Sequence, residues 1–482
     1  MRTYDVIIVG AGPAGSTAAR LLAAHGLAVL LIDAKKLPRD KPCAGVVSAK
    51  TLSLLEQEGL GVPQDLVEAE IYGLKAFGPH MEPVYAEPAY EVSGISLPGR
   101  PRLGITVRRR AFDWFLTEPA RNAGARLIDD CRLLGLSGVG ETSQGPSALP
   151  ALSLDTSKGE FEARVVIGAD GVFSATARLA GIRPRFRWWE LARTCSMDIS
   201  VAHIANCRNR PAEDTGVRID GGSMRNAGEI CFPPVLFGSG WLFPHGDHVN
   251  VGIGCAAFAF TRRMSIKTLW STAPAIPTLP SPPSLPLASF PGEPPSQNEP
   301  LSQSKPHQAF LAFLDSLARA KGWEIRTISP AKQGGPKEYL VPAGGFRRPI
   351  ARGQVLLVGD AAGLVDPFTG EGIFNAMRSA NIAAETIAGF LGRDHDDYGD
   401  YDNGVPGHPL AREYTRRCYG ALLPELRRSL LLTAIFFNKG GLFFRLLRRD
   451  PRRVAWLAEI MHSEGAYGRI LSELAPWRSP RD

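Results

Sequence analysis

The hydrophobic pattern changes period along the chain, and each change marks an element. Val6–Val9 is an unbroken apolar run, rich in β-branched residues, as in a strand buried on both faces. It enters "GAGPAG" and then an Ala- and Leu-rich stretch, Ser16 to His25, expected to be helical. Gly26 is placed to end that helix, and "LAVLLID" reads as a second buried strand closed by Asp33. Two more strands lead into small-residue turns. Arg164–Gly168 precedes Asp170-Gly171 and a turn at Ser174. Val355–Val358 precedes Gly359-Asp360, a loop of small residues and a helix starting near Gly372. Elsewhere the period shortens to two. "RTCSMDISVAHI" and "GWLFPHGDHVNVGIGC" alternate as an antiparallel sheet does.

These periods define an α/β protein. A Rossmann-like domain is expected from discontinuous segments, 1–69, 102–182 and 349–390. Residues 70–101 and 183–348 are expected to form an antiparallel β-sheet substrate domain, and 391–482 a helical C-terminal region. Ala273–Pro306 contains 11 prolines, which remove donors and disfavour helix and central strand, so it reads as a disordered or polyproline-like insertion. Gly138–Gly159 reads as a loose loop. No apolar run approaches the roughly 18 residues of a spanning helix. Val6–Val9 is also too short for a secretory leader.

Charge narrows the partners. The 482 residues carry a net charge of +7, and Tyr401–Asp482 alone holds 14 Lys and Arg against 8 Asp and Glu. One basic surface is expected, which argues against a nucleic-acid partner. The tail mixes Leu and Phe with Arg427, Arg428, Lys439, Arg445, Arg448, Arg449, Arg452 and Arg453. It is expected either to lie against a membrane as a peripheral contact or to pack as a helical cap with solvated arginines. Seven scattered cysteines without a CxxC pair suit a reducing, cytoplasmic setting without a zinc site. His245 and His248 have no third ligand at metal spacing and read as loop residues.

The glycines carry the first chemistry. Gly10, Gly12 and Gly15 have G-x-G-x-x-G spacing around Pro13 and Ala14, between a strand and a helix. Gly10 permits the tight turn, Gly12 the approach of a pyrophosphate, and Gly15 close packing, while the helix N-terminus attracts the anion. Asp33 can accept hydrogen bonds from ribose hydroxyls and would repel a 2′-phosphate, so FAD or NAD fits and NADP fits poorly.

"GAGPAG", "GADGVFSATAR" and "VGDAAGLVDPFTGEGI" together resemble the three FAD signatures of flavoproteins with the p-hydroxybenzoate hydroxylase-type fold. "RDKPCAG", "RRRAFDWFL" and "GWLFPHGDHVNVGIG" further resemble the geranylgeranyl reductase family within that group. The resemblance runs from Arg2 to about Glu385 and implies an FAD-binding domain. It makes Gly10, Gly12 and Gly15 the pyrophosphate turn and Asp33 the adenosine ribose ligand. Arg109 falls near the FAD phosphates, although a solvated cluster with Arg108 and Arg110 is the local alternative. Asp360, after Gly359, falls on the ribityl or pyrophosphate portion, and Gly370, Gly372 and Ile373 beside the isoalloxazine. Asp170 is either an FAD contact or a turn former. Trp241, Phe243 and Pro244 match the segment that lines the family's isoprenoid channel, with Ser239 in place of its Tyr. Cys43, followed by Ala44 and Gly45, matches a cysteine beside the flavin, with Ala44 replacing the first glycine of that motif. A small buried filler is the other reading of Cys43.

The resemblance implies an FAD-dependent oxidoreductase that reduces carbon–carbon double bonds of a geranylgeranyl or related prenyl chain. The chain has one dinucleotide turn, so NADPH or a protein electron carrier must act as a transient reductant. An FAD-dependent aromatic monooxygenase or halogenase is the alternative on the same fold. A non-catalytic, flavin-containing lipid-binding protein is the third reading.

Overall fold

The computed structural model describes residues 2–78, 83–84, 91–92, 95–96, 102–140, 151–200, 204–206, 227–232, 238–256, 305–321, 323–325, 335–392, 408–438, 453 and 455–474. β1 (Arg2–Val9) turns through the glycines into α1 (Pro13–Ala24) and returns as β2 (Val29–Ile32). Pro13 suits the first helical turn, where no amide donor is needed. β3 (Val46–Ser48) leads into α2 (Ala49–Gln57), and β4 (Gly73–Phe77) and β5 (Gly104–Thr106) precede α3 (Arg109–Asn122). β6 (Arg126–Ile128), β7 (Leu133–Ser137), β8 (Leu152–Thr156) and β9 (Gly159–Gly168) follow, then α4 (Ala175–Leu179). The next strands are β10 (Leu191–Ser200), β11 (Ala227–Cys231), β12 (Gly238–His245) and β13 (His248–Ala256). α5 (Lys305–Lys321) and β14 (Lys337–Pro342) lead to β15 (Val355–Leu357), α6 (Gly359–Ala362) and α7 (Ile373–Leu391). α8 (Pro409–Asn438), α9 (Ala455–His462) and α10 (Ala466–Leu474) complete the described helices.

Two large sheets divide the work. In the first, β6, β2, β1 and β9 are parallel neighbours, and β15 pairs parallel with the end of β9. Ile7, Ile8, Leu30, Leu31, Val165 and Val166 are wholly buried there. Parallel strands end on one edge, so the loops after β1, β2, β9 and β15 meet at that edge. The second sheet runs β14-β10-β13-β12-β11-β4. Its strands are antiparallel except for β11 against β4. Cys195, Ile199, Val251 and Ile253 pack beneath Phe310, Phe313 and Leu317 of α5.

Two expectations need adjustment, and in a third place, the tail, the described residues pack as the expected helical cap. β8 lies inside the segment read as a loop: Leu152 and Leu154 alternate with Ser153 and Asp155, and the strand pairs with β9. Of the proline-rich insertion, 273–304 lies outside the described residues, and Lys305-Pro306 already begins α5. In the tail, Leu430, Leu432 and Phe436 are buried, the last two against Trp456, Tyr467 and Ile470. Arg427 and Arg428 are exposed, while Lys439, Arg445, Arg448, Arg449 and Arg452 lie outside the described residues. No described helix is long and apolar enough to cross a membrane.

Candidate functional site

The three glycines of the first turn do different things. A Cβ on Gly10 (φ +105) would strike the Ala169 carbonyl, and one on Gly15 would strike the carbonyl of Gly10. A Cβ on Gly12 would meet only the Arg39 guanidinium, at 3.6 Å. Gly10 and Gly15 therefore close the backbone on itself, and Gly12 opens it to space. No side chain caps α1 at Gly12 or α7 at Gly372, so the amides of both helix starts are open to an anion or a carbonyl. Gly359 ties the third motif to the first: its Cβ would lie 3.3 Å from that of Ala14.

Asp33 is buried at the end of β2. Its carboxylate accepts from Ala11 N–H and Lys35 N–H, each at 2.9 Å, and Arg39 Nε lies 3.1 Å and 3.3 Å from its two oxygens. Arg109 resolves the choice within its cluster. It is 7 % exposed and bonds both oxygens of Asp113 at 2.8 and 3.0 Å, whereas Arg108 and Arg110 face water. Burial acts to lower the Arg109 pKa, but Asp113 and then the Cys43 thiol outweigh it, so the guanidinium stays charged. Lys41 Nζ reaches Asp360 at 3.2 Å and sits 5.3 Å from the centre of the Tyr339 ring. Burial opposes its charge, and Asp360 and then Tyr339 raise its pKa above the ordinary value. Arg39, Lys41, Asp113 and Tyr339 were not foreseen. The spacing of Arg109 and Asp113, one helical turn apart, was the available signal. Nothing local points to Tyr339, which arrives from the second sheet.

Asp170 lies beside the glycine turn, but its carboxylate is occupied. It accepts from Ser174 Oγ at 2.5 Å and from the amide and hydroxyl of Thr176 at 2.9 and 3.0 Å, which secures the start of α4. The arrangement is that of a turn former.

The loop before α7 is held from two sides. Asp366 Oδ1 accepts from Phe368 N–H and Thr369 N–H at 2.9 Å, from Ser429 Oγ at 2.9 Å and from Tyr467 Oη at 2.8 Å. The last two donors come from α8 and α10. Glu371 pairs with Lys50 at 2.7 Å and accepts from Ser48 Oγ. Gly370 takes φ +73 between these anchors, and Ile373 begins α7 against Val47 and Phe374.

The second sheet meets the cysteine loop at β12. The Trp241 ring lies across Gly252, where a Cβ would collide with it, and Trp241 Nε1 donates to Asn250 at 2.8 Å. Phe243 is buried with Ile71 and Leu103, and Ala44, Val46 and Trp241 pack on this cluster. Pro244 O accepts from Thr106 Oγ1 at 2.6 Å. His245 overturns its assignment to a loop. It is 4 % exposed at the end of β12, and its Nε2 lies 2.9 Å from the Ala44 carbonyl. Gly45 (φ +74) makes room, since a Cβ there would lie 2.5 Å from His245 Cε1. His248 stacks on His245 at 5.0 Å and is buried too. Cys43, half-buried, thus stands between the Arg109 pair and the aromatic strand.

An open glycine turn, two uncapped helix starts and three paired cations, Arg39, Lys41 and Arg109, with only Arg109 buried, fit an extended dinucleotide such as FAD. The FAD binding domain family matches residues 3–212, and the lycopene cyclase protein family matches 299–449. A digeranylgeranylglycerophospholipid reductase of Methanothrix thermoacetophila is 28 % identical over 90 % of this chain and 88 % of its own length. A menaquinone reductase of Mycobacterium tuberculosis is 28 % identical over 80 % of this chain and 76 % of its own. A geranylgeranyl bacteriochlorophyll reductase-like protein from Thermoplasma acidophilum superposes with a TM-score of 0.64 at 20 % identity, covering 99 % of this chain and 97 % of that one.

Proposed function

We propose that this chain, an FAD-dependent oxidoreductase of the geranylgeranyl reductase type, reduces carbon–carbon double bonds of a geranylgeranyl or related prenyl chain. Gly12 and the start of α1 hold the FAD pyrophosphate, Asp33 the adenosine ribose and Asp360 the ribityl portion. Arg109 lies near the phosphates, and Gly370–Ile373 lie beside the ring. Bound, reduced FAD supplies a hydride, and NADPH or a protein electron carrier replenishes it. Trp241 and Phe243 give the apolar wall against which a prenyl chain aligns. Cys43 Sγ holds a proton that can pass to the carbon next to the one receiving hydride.

One observation carries this reading. The His245–Ala44 hydrogen bond, 2.9 Å long, ties the cysteine loop of the cofactor side to the aromatic strand of the second sheet. The bond supports a reading in which thiol and apolar wall flank the edge of the cofactor. The relatives' names supply the substrate class, prenyl lipids or prenylated quinones.

The test is anaerobic. The flavin is reduced and mixed with geranylgeranyl lipids, menaquinone or simple phenols, and products are read by mass spectrometry. A saturated prenyl product is expected. In a parallel run with oxygen admitted, reoxidation triggered by a phenol would instead support hydroxylation, and binding without turnover in either run would support a lipid carrier.

A further inference from the structure

The tail is not the only basic stretch. Between Gly171 and Trp189 the chain holds Arg178, Arg183, Arg185 and Arg187 and no Asp or Glu. Between Tyr339 and Gly359 it holds Arg347, Arg348 and Arg352, again with no acid. The fold brings the two segments together. Arg352 Nη1 donates to the carbonyls of Ala180 and Gly181 at 3.2 and 3.4 Å. Arg183 and Arg348 both lie over the Phe186 ring, at 3.7 and 5.2 Å.

The local carboxylates are few and already engaged. Glu190 lies 3.5 Å from Arg348 Nε and also accepts Arg187 N–H at 2.7 Å. Asp170, which Arg183 also senses, is taken by Ser174 and Thr176. Arg183 Nη1 and Arg348 Nη1 are buried without a partner among the described residues, and Arg348 is only 8 % exposed. Burial, and then the neighbouring Arg348, pull the Arg183 pKa down to about 10. Arg178, Arg185, Arg187, Arg347 and Arg352 face solvent. Aromatic rings accompany them. Trp188 is 41 % exposed and meets Trp189 edge-on at 5.6 Å, with Arg187 over Trp189 at 5.2 Å. Phe173, in the turn just before α4, is 64 % exposed.

We propose that this arginine–aromatic face, built from residues 173–189 and 347–352, docks the protein on an anionic phospholipid surface. Guanidinium groups pair with phosphate in bidentate fashion, and Arg185, Arg187 and Arg347 face solvent with no ion pair among the described residues, while buried Arg183 and Arg348 hold the two segments together over Phe186. Exposed Trp and Phe are a cost in water but suit the headgroup boundary of a bilayer. An acidic soluble protein would answer the charge and leave the rings unexplained. The choice of lipid leans on the proposed prenyl-lipid reaction.

The test is flotation of the FAD-loaded protein with phosphatidylcholine vesicles, with or without phosphatidylglycerol. Binding is expected only with the anionic lipid and is expected to weaken with salt. The triple variant Arg185→Gln/Arg187→Gln/Arg347→Gln should bind on the order of 100-fold more weakly, from the usual gain per basic residue near such a surface. Trp188→Ala should weaken binding with charge unchanged. Flavin content and melting temperature confirm that the variants fold. Unaltered vesicle binding by the triple variant overturns the proposal. So does loss of binding only when Lys439–Arg453 is neutralised, or retention on heparin with no vesicle binding, which would mark a soluble polyanion. Flotation needs no turnover, so its failure leaves the proposed reaction standing, and failure of that reaction leaves the lipid contact standing.

Discussion

The cofactor side and the arginine face both concentrate cations, but they balance them in opposite ways. Around the glycine turn Arg39 meets Asp33, Arg109 meets Asp113 and Lys41 meets Asp360. Each cation has its own carboxylate within a few ångströms. On the outer face the seven arginines form one ion pair among the described residues, Arg348 with Glu190 at 3.5 Å, and Asp170 nearby is already engaged. A paired cluster can stay buried and still offer directed donors. An unpaired one must be satisfied from outside. The same side chain thus serves as internal scaffold in one place and as a binding surface in the other.

The comparison breaks most sharply at the glycines. Gly12→Val should leave a folded protein that purifies without flavin, because a side chain there enters open space that the pyrophosphate needs. Gly15→Val should fail to fold, since its Cβ meets backbone. Flavin absorbance per chain and circular dichroism separate the two. Normal flavin loading in Gly12→Val would remove the site. Next in size is Arg109→Leu, which removes both charge-assisted bonds of buried Asp113, leaves it only the 3.4 Å contact from Arg39, and should cost about 1.5–3 kcal/mol in urea unfolding. Arg185→Gln should change stability by no more than about 0.5 kcal/mol, as for an ordinary surface site. Equal losses at the two positions would erase the distinction.

Cys43→Ser should keep FAD bound and slow substrate-dependent flavin reoxidation by about 100-fold if the thiol delivers a proton. Anaerobic stopped-flow measures this, and wild-type rates would reduce Cys43 to packing. The smallest effect is at His245. Burial first, and His248 as well, hold its pKa below 6.5, while the Ala44 bond, Asp198 and Glu68 oppose this. The ring's contribution to stability is therefore present above pH 6.5 and lost as pH falls through its lower folded value. His245→Gln should lose less melting temperature than wild type on acidification below that point. Parallel melting curves would show that the ring titrates alike in the folded and unfolded chain.

The cofactor turn was legible because its information is local. Val6–Val9, the glycine spacing and Asp33 lie within one strand–helix–strand unit, and the structure differs there only in a few terminal residues. Arg109 and Asp113 were half-legible, since only burial separates Arg109 from Arg108 and Arg110. The second sheet was recognisable by its alternation, but not the parallel pairing of β11 with β4, which joins distant residues. His245 and His248 flank a hairpin turn, so their polarity suggested a loop. The place of the His245 ring depends on the room left by Gly45, two hundred residues earlier. The arginine face escaped notice for a related reason. A window count finds the tail, whereas this face exists only once residues 171 and 172 apart in sequence are folded side by side.

The bonds to Asp366 also impose an order on biosynthesis. Its partner Tyr467 is made 101 residues later, and Ser429 is made 63 later. A nascent chain therefore completes its glycine turn early, while the loop carrying Gly370 must wait for helices still to be translated. A ribosome product cut short before α10 would keep the glycine turn and lack one fastening of the loop before α7. Synthesis itself thus withholds the anchored form of that loop until α8 and α10 arrive.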